Sequence, residues 1–420
     1  MSATRRCLVR SRQNSSSLDA MFRGQPEPRS EDCLYLNVWS PPPTSAGSAR
    51  RPVMVWIHGG AFVTGSGSHP LYHGDKLATR GDVVVVTINY RLGAFGFAHL
   101  GDHDPAYEGS ANNGLRDQVA ALEWVQANIE HFGGDPDNVT IFGESAGAMS
   151  VTALVAAASD RGLFHRAIAQ SGAGHNAKGR EAAAAVTNRL LERCGVATVS
   201  ELAVVDAQRL VDAEAELSQV GSVIDRVQSR RDLSETSMPF QPVVDGDFLT
   251  ARPIDLVAAG AGAHIDLLAG TNADEYLLFT FMDTRPRTRD EFVARLGRVG
   301  LDESVVDRYA DGSDNYKAAT DRLMTELVFR GPADELLASH GGRAFDYEFT
   351  FASAAAGGAL GSCHALELPF VFGHVEHPGV RAFVGGDAPA GLSASMQTAW
   401  LSFAHTGDPG WAEHPHRHVF

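Results

Sequence analysis

The sequence predicts an α/β protein in which a central, mostly parallel, twisted sheet carries helices on both faces. Residues 53–57 form a short continuous apolar run, and residues 83–88 are β-branched throughout, as in strands that are buried on both faces. Residues 115–129 then show helical periodicity and carry Trp124. Strands that alternate with helices favour a parallel sheet, because each crossover helix packs on one of its faces.

Three further elements complete the first half of the chain. Residues 34–38 show the alternation of a strand. Residues 133–136, Gly-Gly-Asp-Pro, predict a turn. The apolar run at residues 139–142 predicts a strand directly after that turn.

The second half is richer in helix signals. Residues 180–193 are rich in alanine and leucine, and Gly195 is suited to end that helix. Thr288 and Glu291 have the spacing of a capping box, which predicts a helix toward Leu296. Two strands are expected among the helices, at residues 265–269 and 344–351, and residues 41–50 predict an exposed loop.

Composition excludes several classes of function. The 420 residues are 44% hydrophobic and 20% charged, which is ordinary for a soluble globular protein. The net charge of −16 argues against nucleic acid and anionic membranes as partners, because both select for basic patches. No segment reaches the roughly 18 uninterrupted apolar residues of a transmembrane helix. The oligomeric state is left open.

The four cysteines bear on which cofactors the protein can hold, and the N-terminus bears on its compartment. Cys7, Cys33, Cys194 and Cys363 make no disulfide scaffold, and no pair has the spacing of metal ligands. No metal or organic cofactor is therefore expected. Residues 1–14 contain no apolar segment of a signal peptide, which favours a cytoplasmic over a secreted protein.

The most informative motif is the pentapeptide Gly-Glu-Ser-Ala-Gly at residues 143–147. A G-x-S-x-G segment after an apolar strand can make a strained strand-to-helix turn that holds a serine hydroxyl at the top of a sheet. Ser145 is thus a candidate nucleophile. Glu144, its neighbour, is interpreted as a buried supporting residue rather than as a second acid.

A serine needs a base, and in this chemistry the chain order is serine, acid, histidine. Glu275 follows the predicted strand at 265–269, so it is placed at the carboxyl edge of the sheet, where Ser145 is expected. Its neighbour Asp274 competes for the same role. His364, after the strand at 344–351 and a glycine-rich loop, is the candidate base.

The segment His-Gly-Gly-Ala-Phe at residues 58–62 follows the strand at 53–57 directly. Small residues in such a loop let backbone N–H groups point at a developing oxyanion. Gly59, Gly60 and Ala61 are the candidates in this loop. Ala146 offers a further N–H, because it follows the nucleophile.

These motifs resemble the type-B carboxylesterase/lipase family, which includes the cholinesterases and bacterial para-nitrobenzyl-type esterases. The resemblance covers almost the whole chain and includes these segments besides the motifs above: 30–38, 89–93, 113–118, 132–147, 170–172, 272–275 and 364–373. It implies an α/β-hydrolase fold with a helical lid region, with residues 1–420 as a single domain. It also implies hydrolysis of small carboxylic esters through an acyl-enzyme.

By the same resemblance, Ser145 is the nucleophile, Glu275 the acid and His364 the base. Gly60, Ala61 and Ala146 donate to the oxyanion, and Gly59 shapes the loop. Ser171 resembles a serine that hydrogen-bonds the acid–histidine pair. Acyl and alcohol specificity are not implied.

The chain departs from the family pattern in two respects. It appears shortened at both ends, which raises the alternative of a catalytically inactive or truncated, cholinesterase-like binding module. Cys7 and Cys33 resemble a pair that closes a large loop, and their disulfide is left open. In cholinesterases that loop carries a choline-binding tryptophan, and none lies between these two cysteines. Choline esters are therefore not the expected substrates.

Overall fold

The strands of the computed structural model form one large sheet and one small one. The structure describes residues 13, 28–42, 49–219, 238–285, 287–312 and 314–420. Its strands are β1 (Leu36–Trp39), β2 (Arg51–Ile57), β3 (Val84–Ile88), β4 (Gly134–Glu144), β5 (Arg166–Gln170), β6 (Lys178–Gly179), β7 (Val243–Val244), β8 (Asp266–Asn272), β9 (Ala344–Phe349) and β10 (Arg417–Val419).

The large sheet has the spatial order β1-β3-β2-β4-β5-β8-β9-β10, and β6 pairs with β7 separately. Among the described residues, β1 is the only strand of this sheet that runs antiparallel to its neighbour. The predicted mostly parallel sheet is therefore confirmed. Ile57 of β2 is in register with Gly143 of β4. The loops after β2, β4 and β8 therefore leave the sheet at one edge.

Helices connect these strands and cover them. They are α1 (Asp75–Gly81), α2 (Gly93–Phe97), α3 (Asn113–Asn128), α4 (Ala146–Ala158), α5 (Arg180–Cys194), α6 (Val199–Leu202), α7 (Ala207–Gln219), α8 (Pro253–Ala258), α9 (Leu277–Thr280), α10 (Arg289–Arg298), α11 (Val306–Ala310), α12 (Tyr316–Thr325), α13 (Gly331–Ser339), α14 (Leu368–Val371), α15 (Pro378–Val384) and α16 (Leu392–Thr406). A π-helical turn, Glu326–Arg330, joins α12 to α13. Short 3₁₀ turns lie at Pro70–Tyr72, Pro105–Tyr107, Ser110–Asn112, Ile129–Phe132, Ser159–Arg161, Glu303–Val305 and Ala355–Gly358.

The two faces of the sheet carry separate apolar cores. In β2, Val55 and Ile57 belong to one core, to which α3 and α4 contribute. Met54 and Trp56 belong to the other, to which α1 and α16 contribute. This alternation follows from the two-residue period of a strand, and it explains why β2 is apolar at nearly every position.

The helical region after β8 has its own small core. Phe292 and Leu296 of α10 pack with Tyr309 of α11 and Leu323 of α12. The capping box predicted at Thr288 is present: its side chain accepts from the N–H of Glu291, and Glu291 reaches back to the N–H of Thr288. This region lies between β8 and β9, in the half of the chain that the sequence predicted to be richer in helices.

The other predicted elements are found with shifted ends. The helix at 180–193 is α5, and Gly195 ends it in the left-handed conformation at φ 73°. The turn predicted at 133–136 is wrong beyond Gly133, because β4 already begins at Gly134, which pairs with Arg51. Of the predicted loop at 41–50, residues 43–48 lie outside the described residues.

In the part of the chain described here, none of the helices combines the length and the apolar content needed to cross a bilayer. The described residues likewise contain no group of three or more His, Cys, Asp or Glu side chains arranged to hold a metal ion.

Replacing Trp56 by alanine should lower the free energy of unfolding by about 3–5 kcal/mol. Trp56 is fully buried, and its ring lies 4.9 Å from Phe142 and 5.0 Å from Phe372. Trp124→Ala is the matched control, because Trp124 is half-buried beside Phe132. The free energy of unfolding of both variants is measured by urea denaturation. Equal losses of this free energy in the two variants would contradict the assignment of Trp56 to the core between the sheet and α16.

Candidate active site

Ser145 lies in a strained turn between β4 and α4. Its backbone has φ 57° and ψ −124°, an unfavourable combination for a residue with a side chain. Two hydrogen bonds hold the turn: the N–H of Ser145 donates to the carbonyl of Gln170, and its carbonyl accepts from Met149. The turn leaves Ser145 half-buried at the carboxyl edge of the sheet, as predicted for the G-x-S-x-G segment.

The glycines on either side of Ser145 allow this turn to close. A Cβ on Gly147 would lie 2.0 Å from the carbonyl oxygen of Ile57, and a Cβ on Gly143 would lie 2.6 Å from the carbonyl carbon of Gly147. Both obstacles are backbone atoms, which cannot rotate away. The start of α4 can therefore lie against the end of β2 only because these residues lack a side chain.

The loop at residues 58–65, called here the 58–65 loop, folds back on the carbonyl of Gly60. That oxygen accepts from the N–H groups of Val63 at 3.0 Å and Thr64 at 2.9 Å, and from the Thr64 hydroxyl at 3.2 Å. Because a trans peptide is planar, the N–H of Ala61 points away from this carbonyl. Gly59 lies against the nucleophile turn, where an added Cβ would be 3.1 Å from Ser145 Cβ.

Two residues of this loop adopt the left-handed conformation without being glycine. Ala61 has φ 53° and Phe62 has φ 61°, and such positions cost about 1–3 kcal/mol each. Phe62 is fully buried against Phe97, and its carbonyl accepts from Gly93 at 2.7 Å. The anchored Phe62 offsets this strain and leaves Ala61 exposed at the mouth of the site.

Glu275 and His364 form a buried, doubly bonded pair. His364 Nδ1 lies 2.7 Å from Glu275 Oε2, and the backbone N–H of His364 donates to the carbonyl of Glu275. The other oxygen of Glu275 accepts from the N–H of Asn272 at 2.8 Å. Glu275 is 0% exposed and His364 is 5% exposed. A carboxylate at Nδ1 places the imidazole proton there and directs Nε2 to the other side.

Asp274, the competing acid, faces a different part of the chain. Its carboxylate accepts from the N–H of Ser362 at 3.0 Å, and its own N–H donates to the carbonyl of Ser362. It thus supports the loop that precedes His364. The two neighbouring acids have different partners because consecutive side chains leave the backbone in different directions.

Glu144 lies on the opposite side of the imidazole. Its Oε1 is 3.0 Å from His364 Nε2, without the alignment of a hydrogen bond. Burial raises the pKa of Glu144 to about 8, although His364 lowers it in part. Burial lowers the pKa of His364, but Glu144 and Glu275 outweigh that effect and raise it to about 9. Sequence reasoning treated Glu144 only as support, whereas it directly faces the histidine.

A third buried acid, Glu367, was not predicted. Its carboxylate accepts from Gln170 Nε2 at 3.0 Å and from Asn272 Nδ2 at 2.7 Å. Trp400 Nε1 in turn donates to Gln170 Oε1 at 3.0 Å. Burial raises the pKa of Glu367 to about 7. The position three residues after His364 was its only signal in the sequence, and nothing there indicated amide partners from β5 and β8.

Ser171 lies near this network, directly after β5, with φ 53° and a fully buried side chain. Its N–H donates to the carbonyl of Gly270 at 2.9 Å. Its hydroxyl has no hydrogen-bond partner among the described residues. The structure therefore does not form the predicted hydrogen bond from Ser171 to the acid–histidine pair.

Two aromatic rings border the histidine. The centroid of Phe329 lies 4.7 Å from that of His364, and the centroid of Phe279 lies 5.4 Å from it. Phe329 is buried in the π-helical turn, whereas Phe279 is 56% exposed. The rings make an apolar wall beside the imidazole. Sequence reasoning missed both: the π-helical turn that carries Phe329 has no sequence signal of its own, and the contact of Phe279 with His364 joins distant segments of the chain.

Cys363 and its carbonyl complete this loop. Asn272 Nδ2 donates to the Cys363 carbonyl at 2.7 Å, and burial raises the pKa of the thiol well above its ordinary value. The thiol is therefore protonated and unsuited to act as a nucleophile. The Cys7–Cys33 disulfide, which the resemblance left open, involves Cys7, a residue outside the described residues.

Comparisons with known proteins show the family of the chain. The sequence profile of the carboxylesterase family matches residues 2–418. The para-nitrobenzyl esterase of Bacillus subtilis is 40% identical over 388 residues, which cover 91% of this chain and 75% of that protein. The fumonisin B1 esterase of Sphingopyxis macrogoltabida is 37% identical over 392 residues, which cover 90% of this chain and 69% of that protein.

Solved structures show the same fold. A carboxylesterase of Geobacillus stearothermophilus, in a crystal structure at pH 6.2, superposes with a TM-score of 0.80 at 40% identity. The match covers 96% of this chain and 81% of that one. A para-nitrobenzyl esterase structure gives a TM-score of 0.81 at 38% identity, with the same coverage of 96% and 81%. The predicted α/β-hydrolase fold is confirmed.

Replacing Gly147 by alanine should both destabilise the protein and displace the Ser145 turn, because the new Cβ would overlap the Ile57 carbonyl. We expect a lower urea midpoint and a rate of fluorophosphonate labelling at Ser145 at least about tenfold lower. Gly297→Ala is the matched control: Gly297 lies in α10 with nothing within 4 Å of the added carbon. If Gly147→Ala matched this control in both measurements, the close approach would not shape the turn.

Proposed function

We propose that this chain, which belongs to the carboxylesterase family and is a carboxylic ester hydrolase, cleaves esters through an acyl-enzyme formed on Ser145. The buried contact between His364 Nδ1 and Glu275 Oε2, at the sheet edge that carries the Ser145 turn, supports the proposal most directly. A serine in a strained turn and an oriented imidazole are the two parts that a covalent serine mechanism requires.

In the first half of the reaction, Ser145 Oγ attacks the carbonyl carbon of the ester and His364 Nε2 takes the hydroxyl proton. The carbonyl π electrons move to oxygen and form a tetrahedral oxyanion. Glu275 holds the Nδ1 proton and stabilises the imidazolium that results. When the oxyanion collapses, the bond to the alcohol oxygen breaks, and His364 returns its proton to the departing alcohol.

In the second half of the reaction, water takes the place of Ser145 as the nucleophile. His364 takes a proton from water, whose oxygen attacks the acyl carbon and forms a second oxyanion. Collapse breaks the bond to Ser145 Oγ, which recovers its proton from His364. The free acid leaves, and the enzyme is regenerated without any change of redox state.

In this proposal, backbone N–H groups of the 58–65 loop and of the first turn of α4 stabilise the oxyanion. Gly60 and Ala61 belong to the 58–65 loop, and Gly59 lets that loop lie against Ser145. Ala146 is the first residue of α4, so its N–H lacks an acceptor within the helix. Each such donor is worth about 10²–10³ in rate.

Glu144 affects the same step through its charge. Its carboxylate faces His364 Nε2, so it favours the imidazolium that forms when Ser145 loses its proton. The same carboxylate also competes with the Ser145 hydroxyl as the group toward which His364 Nε2 turns.

The proposed substrates are small carboxylic esters with an apolar group. Relatives named for para-nitrobenzyl and fumonisin B1 esters support this class, and so does the apolar wall of Phe279 and Phe329 beside His364. We also propose that residues 1–420 act as one α/β-hydrolase domain. A non-catalytic binding module is disfavoured, because Ser145, His364 and Glu275 are all competent residues.

Replacing Ser145 by alanine should abolish turnover of a para-nitrophenyl ester, by about 10⁴-fold or more, and leave the unfolding midpoint near that of the wild type. The matched control is Ser402→Ala, because the hydroxyl of that half-buried serine in α16 donates to the carbonyl of Asp408, a contact outside the site. Turnover that survives in Ser145→Ala, or fluorophosphonate labelling of another residue, would exclude Ser145 as the nucleophile.

Replacing Glu144 by glutamine should move the acidic limb of the pH profile of kcat/KM to lower pH. His364 must be neutral to accept a proton, so activity falls as the pH drops through its pKa. Glu144 raises the pKa of His364, so neutralising Glu144 should move the midpoint of the acidic limb down by about one pH unit. Glu123→Gln, which changes an exposed acid paired with Arg161, is the control. An unchanged limb would mean that Glu144 does not act on His364.

A further inference from the structure

We propose that Gln13 is a positioning residue for the 58–65 loop and thereby for the oxyanion donor of Ala61. The inference rests on the mechanism proposed above. Gln13 precedes β1 and is separated from the loop by about fifty residues, and no motif in the sequence connects the two.

Both polar atoms of the Gln13 side chain bind one residue. Nε2 donates to the carbonyl of Gly65 at 2.7 Å, and Oε1 accepts from the N–H of Gly65 at 2.6 Å. The side chain is 1% exposed. A paired donor and acceptor fix both the distance and the orientation of the peptide backbone, as a pair of ladder bonds does between strands.

The contact at Gly65 is linked to the oxyanion donor, the N–H of Ala61, through Thr64 and the carbonyl of Gly60. Gly65 follows Thr64, whose N–H and hydroxyl both donate to the carbonyl of Gly60. That carbonyl shares a planar peptide unit with the N–H of Ala61, and the two point in opposite directions. A shift of Gly65 therefore rotates the Ala61 N–H away from the site.

Gln13 holds the 58–65 loop at the residue where its two ends meet, in addition to the anchor at Phe62. Ala61 and Phe62 are strained, so the loop has conformations to which it can relax. Gly65 has φ 115°, and an added Cβ would lie 2.3 Å from His58 Nδ1 and 2.4 Å from the Gly59 carbonyl. The two ends of the loop thus touch at Gly65, the residue that Gln13 holds.

The test compares Gln13→Met and Gln13→Ala with Gln126→Met. Methionine keeps the length of the side chain and removes both hydrogen bonds, which separates bonding from packing. Gln126 is the matched control, because its amide also bonds backbone carbonyls, those of Pro136 and Leu163, far along the chain from the loop. Active sites are counted by the burst of para-nitrophenol, so that kcat refers to folded enzyme.

We expect both Gln13 variants to lower kcat by about tenfold with KM within twofold, because the oxyanion donor acts in the transition state. The affinity for a trifluoromethyl ketone, whose adduct carries the oxyanion, should fall by the same factor. Gln126→Met should change neither quantity.

Two results would overturn the inference. Wild-type kcat per active site in Gln13→Met would show that the hydrogen bonds do not position the loop. A lower kcat with unchanged affinity for the trifluoromethyl ketone would place the defect outside the oxyanion donors. If the wild type itself neither turns over the ester nor binds the ketone, the proposed function fails instead, and the two failures are thereby distinguished.

Discussion

The close approach of α4 to the end of β2 is the constraint on which the site depends. The strands are in register at Ile57 and Gly143, and Gly147 lies directly against the Ile57 carbonyl. This single contact brings two loops together, since β2 leads into the 58–65 loop and β4 leads into the Ser145 turn. A nucleophile and its oxyanion donors from separate segments can then face the same small volume. The strain at Ser145, Ala61 and Phe62 persists because the sheet beneath it is rigid.

Buried charge is the second physical theme of the site. Glu144 and Glu275 face the two ring nitrogens of His364, and Glu367 lies nearby with Gln170 and Asn272 as its partners. All three acids are at most 2% exposed. Burial raises the pKa of Glu144 to about 8 and that of Glu367 to about 7. Glu275 is distinguished by its direct bond to Nδ1. The arrangement assigns different roles to chemically identical groups through their surroundings.

Local sequence patterns predicted the fold and the centre of the site, because each depends on neighbours in the chain. The β-branched run of β3 and the glycines around Ser145 are of this kind. The choice between Asp274 and Glu275 was not decided by residue type, because both are carboxylates after the same strand. Gln13, Phe329 and Glu367 were missed altogether. Their roles arise from contacts between distant segments, or from a π-helical turn, and neither leaves a periodic pattern in the sequence. The turn expected at 133–136 does not extend beyond Gly133, because Gly134 pairs with Arg51 and begins β4. This pairing is a tertiary contact.

In the proposed mechanism, Ser145, His364 and the backbone N–H groups of Gly60, Ala61 and Ala146 act on one reacting carbon. A crystal structure of the protein after reaction with a phosphonate would show whether they do. We expect phosphorus bonded to Ser145 Oγ, the phosphoryl oxygen about 2.7–3.1 Å from those backbone nitrogens, and His364 Nε2 turned toward Ser145. A phosphonate on another residue, or a phosphoryl oxygen that points away from those N–H groups, would contradict it.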